Sequence, residues 1–195
     1  MAYLKVITGP MFSGKTEELI RILRRSELAG KKIVVIKPKL DSRSNGEIAS
    51  RSTANSDKQE FSQSGSFPAV DIETAEELER LIRAEHPAII GVDEAQFFGT
   101  WMFDYLAELL RRYNHADLTI LVAGLDMDAW RRPFGMMPHL MALADEVQKE
   151  TAICFKCKSP AMYTQKLAGS SEQVEVGDAD IYEARCRVCH VIPAI

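Results

Sequence analysis

The sequence predicts an α/β protein: a parallel sheet with helices on both faces, followed by a small cysteine-bearing C-terminal domain. Three observations carry that expectation. Short β-branched runs alternate with amphipathic stretches through residues 1–149, the pattern of a parallel sheet covered on both sides. A glycine-bounded run, residues 9–16, joins the first such strand to the first amphipathic stretch. The four cysteines all fall in the last part of the chain, as two C-x-x-C pairs.

Tyr3–Thr8 is an apolar run of strand length. Lys15–Leu28 follows, with Leu19, Ile20 and Leu23 at helical spacing and Gly30 beyond its end. Residues 33–36 are a compact β-branched strand, closed by Lys37 and Pro38. Over residues 41–68 Ser, Asn, Gly and Gln accumulate and periodicity fades, so this stretch reads as a long loop or as one hiding a short edge strand. Thr74-Ala75-Glu76-Glu77 spells a capping box, in which hydroxyl and carboxylate satisfy first-turn amides. The helix it opens turns Leu78, Leu81 and Ile82 inward and ends before Pro87. Residues 88–92 read as a strand, 101–113 as a helix and 118–123 as a strand. The alternation stops near Glu150, which places the domains at residues 1–149 and 150–195.

A length of 195 residues suits one full domain with a small appendage. A hydrophobic content of 46% excludes disorder as the main state. The net charge of −4 counts against a non-specific nucleic-acid binder. No stretch approaches the ~20 apolar residues that span a bilayer, and the N-terminal run lacks a leader pattern. A cytoplasmic protein with no membrane partner is therefore expected. In that reducing compartment, paired cysteines point to metal or redox chemistry.

Gly9, Pro10, Met11, Phe12, Ser13, Gly14, Lys15 and Thr16 fit G-x-x-x-x-G-K-[ST]. Such a loop turns backbone amides inward around an anion, with glycine where the chain is strained or closely approached. The following helix aims its positive end at the same phosphates. Lys15 reaches the β- and γ-phosphates and the Thr16 hydroxyl holds Mg2+, which makes the core a P-loop, RecA-like sheet. Asp93 and Glu94 close the strand at residues 89–92, at the carboxyl end where such sheets bind ligands. Asp93 is the natural Mg2+ partner through water. Glu94 is then available as a base toward an incoming nucleophile, against the plainer reading that it caps the next segment or makes a salt bridge. These two residues leave open whether the nucleophile is water or a substrate hydroxyl.

Cys154, Cys157, Cys186 and Cys189 have the spacing of thiolates that meet on one tetrahedral Zn2+. Four protein ligands make such a metal structural, and a long loop is carried between the two knuckles. A redox-active C-x-x-C is the competing reading. His190 offers an alternative ligand but is read as a bystander, while His86, His115 and His139 have no partner pattern.

Together with Asp93-Glu94-Ala95-Gln96-Phe97 and the double knuckle, the loop spelling resembles the zinc-bearing cytosolic (type II) thymidine kinases. The resemblance runs through nearly the whole chain, including Asp41-Ser42-Arg43, Gly124-Leu125-Asp126 with Pro133-Phe134, and residues 177–182. It implies transfer of the γ-phosphoryl of ATP to the 5′-hydroxyl of thymidine, with Mg2+, giving dTMP for nucleotide salvage. It implies Glu94 as general base, and ATP and Mg2+ contacts from residues 9–16, Asp41, Ser42, Arg43, Asp93 and Gln96. Met11, Phe97, Leu125, Ala129 and Phe134, with Val174, Val176, Gly177 and Tyr182, match the nucleoside pocket. The C-terminal domain resembles the family's zinc ribbon and lasso, the loop that closes over the base. A homotetramer, and feedback by thymidine triphosphate, are likewise implied by the resemblance.

Three positions depart from the family pattern. Ala129 stands where Phe is usual, with Trp130 beside it; Gly177-Asp178 replaces Gly-Gly; and Lys166 replaces arginine. The competing class is a RecA-like or DNA-associated zinc-ribbon ATPase. That would want an arginine finger across a subunit boundary and a basic DNA-facing patch, and the acidic balance speaks against it. A GTPase switch would want an Asn-Lys-x-Asp run, which the sequence lacks.

Overall fold

The computed structural model describes residues 1–39, 46–49, 65–167, 173 and 181–193. In chain order the elements begin with β1 (Tyr3–Thr8), α1 (Lys15–Leu28), β2 (Ile33–Pro38), β3 (Glu47–Ala49), β4 (Ser66–Pro68) and β5 (Val70–Ile72). They continue with α2 (Ala75–Glu85), β6 (Ile89–Val92), a 3-10 turn (Ala95–Phe97), α3 (Trp101–Arg112), β7 (Thr119–Gly124), α4 (Met137–Leu143) and β8 (Glu146–Lys149). The tail adds β9 (Ala152–Ile153), β10 (Pro160–Ala161), β11 (Tyr163–Lys166) and β12 (Tyr182–Arg185).

Six strands form the central sheet in the order β5-β2-β6-β7-β1-β8, and every pairing in it is parallel. Successive side chains of a strand face opposite sides of the sheet, and the inner strands are apolar on both. Val6, Ile36, Ile90 and Ile120 pack with Leu78, Leu106 and Leu140 of α2, α3 and α4 on one face. Their neighbours Ile7, Val35, Ile89 and Leu121 pack with Leu19 and Leu23 of α1 on the other, where Ile48 and Phe67 of the β3–β4 pair join them. Leu19, Ile20 and Leu23 of α1 are all buried, as the helical spacing predicts.

The capping box of α2 is formed in full. Glu77 N donates to Thr74 Oγ1 at 3.2 Å, and Thr74 N donates to Glu77 Oε2 at 3.3 Å. The helix stops at Glu85, with His86 in the left-handed conformation, just before Pro87.

The sequence does not announce α4 or the two edge strands. β5 has three residues, too few to show a period, and β8 reads Glu-Val-Gln-Lys, with a single apolar side chain. Both are recruited by backbone pairing to a sheet that is already formed, β5 to β2 and β8 to β1. Within residues 41–68, β3 and β4 form a two-stranded antiparallel sheet. In the tail, β9 pairs with β10 and β11 with β12, both antiparallel. No helix among the described residues is long and apolar enough to cross a membrane.

Candidate active site

The phosphate-loop sequence leaves β1 at the carboxyl end of the sheet. Thr8 Oγ1 donates to Gly124 O at 3.0 Å, which joins the ends of β1 and β7 there. Gly9 has φ 146°, and a Cβ added to it would lie 2.4 Å from Glu150 O, so no other residue fits. Gly14 precedes α1 in the left-handed region, φ 82°, and no side chain caps the helix, which leaves its first amides to an anion. Ser13 Oγ and Lys15 Nζ both donate to Pro10 O, at 2.8 and 2.7 Å. Lys15 is thereby folded over the loop it belongs to. Met11 N donates to Thr164 Oγ1 of β11 at 3.0 Å, and Phe12 packs its ring on Phe155 with centroids 5.7 Å apart. The tail thus braces the loop directly.

Asp93 and Glu94 follow β6 at the same end of the sheet. Thr16 Oγ1 lies 3.3 and 3.2 Å from the two Asp93 carboxylate oxygens. Burial, and then the neighbouring Glu94 charge, push the Asp93 carboxyl up to about 7, a penalty that a bound cation would relieve. The Thr16 hydroxyl and the Asp93 carboxylate are oxygen donors of the kind that Mg2+ prefers. Glu94 itself is left-handed, φ 50° and ψ 41°, and its side chain makes no capping bond to the turn it precedes. Its Oε2 instead accepts from Gln96 Nε2 at 2.6 Å. Gln96 is buried, and its Oε1 accepts from Leu125 N at 2.9 Å.

Beyond this polar row lies an aromatic pair. Phe97 and Phe134 meet edge to face with centroids 5.7 Å apart. The loop over residues 125–134 is shaped by Asp128, whose Oδ1 accepts from the backbone N–H groups of Trp130 and Arg132 at 2.9 and 2.8 Å. Asp128 Oδ2 accepts from Gln173 Nε2 at 2.9 Å. Ala129 and Trp130 are both buried. The Trp130 ring has Lys166 Nζ at 5.5 Å and Arg132 Cζ at 5.7 Å from its centroid. Its indole Nε1 is the single buried side-chain N or O atom without a hydrogen-bond partner among the described residues. Tyr182 sits opposite Lys166 in the β11–β12 ladder, which puts it at the root of the segment between the knuckles. Asp41, Ser42, Arg43, Val174, Val176, Gly177 and Asp178 lie outside the described residues.

The four cysteine sulfurs all lie within 4.8 Å of one another, and those of Cys157 and Cys186 are 3.5 Å apart. Tetrahedral zinc–thiolate sites have bonds near 2.3 Å, hence sulfurs about 3.8 Å apart, so this donor set fits Zn2+. The two knuckles have the same shape: Lys158 N donates to Cys154 O and His190 N to Cys186 O, closing equivalent turns. Burial opposes ionisation of Cys154, yet the backbone N–H groups of Cys186, Cys157 and Lys156 outweigh it and hold the thiol down to about 6. His190 is outside the cluster. Its Nδ1 lies 3.2 Å from Arg131 Nε and must accept from it, so Nε2 donates to Thr164 O at 3.2 Å.

Sequence reasoning missed Thr164, Asp128 and the side-chain bridge of Gln96. Thr164 reaches Met11 across 153 residues, Gln96 reaches Leu125 across 29, and Asp128 Oδ2 reaches Gln173 across 45; no local pattern marks such contacts.

Comparison with known proteins adds an independent line. A family model described as thymidine kinase matches residues 2–190. The thymidine kinase of Bdellovibrio bacteriovorus is 43% identical over 185 residues, which cover 95% of this chain and 83% of that protein. The thymidine kinase of Mycoplasma mobile is 36% identical over 189 residues, covering 96% and 86% respectively.

Proposed function

Because the chain belongs to the thymidine kinase family, we propose that it transfers the γ-phosphoryl of ATP to the 5′-hydroxyl of thymidine, giving dTMP and ADP. The observation that carries this reading is the meeting, at one end of the sheet, of the phosphate loop with Asp93 and Glu94. Thr16 Oγ1 and Asp93 stand 3.2 Å apart there.

Phosphoryl transfer asks a protein mainly for positioning and charge stabilisation. The loop over residues 9–16 cradles the phosphates through the N–H groups of residues 12–16 at the start of α1. Lys15 exchanges its bond to Pro10 O for phosphate oxygens. Thr16 and Asp93 would hold Mg2+, which neutralises charge on the β- and γ-phosphate oxygens when bound. Glu94 takes the proton of the 5′-hydroxyl as the oxygen attacks phosphorus, and the bond from the γ-phosphorus to the bridging oxygen breaks to release ADP. Arg43 adds positive charge, with Asp41 and Ser42 beside it in sequence. Met11, Phe97, Leu125, Ala129 and Phe134 give the nucleoside its apolar wall, and Val174, Val176, Gly177 and Tyr182 belong to the loop that closes over the base. Cys154, Cys157, Cys186 and Cys189 would hold a structural Zn2+ that anchors both ends of that loop. A cytoplasmic homotetramer, with residues 1–149 as kinase core and 150–195 as zinc-bearing lasso domain, completes the reading on the strength of the resemblance.

A RecA-like or DNA-associated zinc-ribbon ATPase is not favoured, since one family model spans both the core and the tail. The test is incubation with γ-labelled ATP, Mg2+ and a panel of nucleosides. Label is expected on thymidine; ATP hydrolysis with no labelled nucleoside would overturn the kinase reading.

A further inference from the structure

We propose that Gln96 is a positioning residue, which aims the Glu94 carboxylate by spanning from the backbone of Leu125. The inference rests on reading Glu94 as the base.

The direction of this span is settled by its ends. The backbone N–H of Leu125 can only donate, so it must face Oε1, at 2.9 Å. The amide nitrogen is then turned to Glu94, and Nε2 donates to Oε2 at 2.6 Å. A flipped amide would set its oxygen against the carboxylate and its NH2 against the Leu125 N–H, losing both bonds. The side chain therefore delivers an N–H donor to Glu94 while its oxygen is held by Leu125.

The surroundings are shaped to keep it there. Gln96 is 3% exposed. A Cβ on Gly124 would lie 2.7 Å from Gln96 Oε1, and one on Gly135 would lie 2.2 Å from Gln96 O. Two glycines thus make room for this residue, one beside its side chain and one beside its backbone. Glu94 has reason to need external support, because its backbone is in the left-handed region that non-glycine residues avoid. A carboxylate on such a turn has no helix or strand to set its direction.

The resemblance implies an ATP or Mg2+ contact for Gln96, whereas the two ends of its amide are engaged by Leu125 and Glu94. Leu125 opens the loop that carries Phe134. Gln96 therefore ties the base to the apolar, nucleoside-side wall.

The test is a double-mutant cycle. Gln96→Met keeps length and bulk and removes both hydrogen bonds. In the wild-type background it is expected to lower kcat by about 10–100-fold, within the range of impaired general-base catalysis, while KM for ATP and for thymidine changes by less than about 3-fold. In a Glu94→Gln background the same substitution is expected to cost less than about 2-fold, because the group it aims is gone. Equal losses in both backgrounds would overturn the proposal, as would a raised KM for ATP with kcat unchanged. Should Gln96→Met fail to fold, the side-chain amide resonances of Gln96 are read by NMR in wild type and in Glu94→Gln. They are expected to move, and unmoved resonances would overturn the proposal. A wild-type protein that phosphorylates no nucleoside would instead defeat the base reading, with the NMR comparison still reporting on the bond.

Discussion

At residue scale, the distance from Gly9 to Glu150 decides what the phosphate loop tolerates. Gly9→Ala would press a methyl group to 2.4 Å of Glu150 O, so ATP binding measured by calorimetry is expected to weaken by 10-fold or more, roughly 1.4 kcal/mol or above. Trp130 poses the opposite case, since its buried indole N–H lacks a partner among the described residues. An unsatisfied buried donor costs about 1–3 kcal/mol, so Trp130→Phe is expected to match or exceed wild type in a denaturant titration. A loss above about 2 kcal/mol would show that the indole contributes contacts that Phe cannot replace. Glu79 gives a pH signature. Its carboxylate accepts from Tyr105, Arg83 and Arg112 at 2.6, 2.7 and 2.9 Å, and these bonds, led by Tyr105, hold it down to about 2 from 4.5. A folded value below the unfolded one means stability present above pH 4.5 and lost as pH falls toward 2. Unfolding midpoints between pH 5 and 3 are expected to drop less steeply in Glu79→Gln. The residues legible in the sequence were those whose chemistry needs fixed spacing, such as Lys15, Thr16 and the cysteines. The span of Gln96 and the surroundings of Trp130 were not, since they depend on Leu125 and Lys166 arriving from elsewhere in the fold.

At the scale of elements, legibility follows length and period. α1 and α2 carried apolar stripes and stop signals, and both sit where those place them. The Thr74 capping box was spelled out in four residues and is formed. Thr74→Ala is expected to cost about 1 kcal/mol, measurable by chemical denaturation. β5 and β8 were invisible because the sheet supplies their reason for being extended. α4 has no side-chain cap and begins with Met137 and Pro138 after a left-handed Gly135. It is held by burial of Met137 and Leu140 rather than by local propensity.

At the scale of the whole molecule, the tail touches the core at the two places where the proposed chemistry needs order. Thr164 and Phe155 meet the phosphate loop. His190 holds Arg131, whose guanidinium also lies 4.3 Å from the Tyr163 ring centroid, and Arg131 belongs to the loop that carries Ala129 and Trp130. A metal held by the four clustered cysteines would tie this short tail together. Metal analysis is expected to find one Zn2+ per chain, and Cys157→Ser is expected to lower both the metal content and the melting temperature. A chain without bound metal would contradict the assignment of the cluster.

The central claim is that Glu94, set beside Asp93 just after β6, serves transfer from ATP to thymidine. Its most direct test is the rate of γ-phosphoryl transfer to thymidine by wild type and by Glu94→Gln, which keeps the shape and removes the base. The account predicts a fall of about 10²–10⁴-fold in kcat with thymidine binding retained; a near wild-type rate would contradict it.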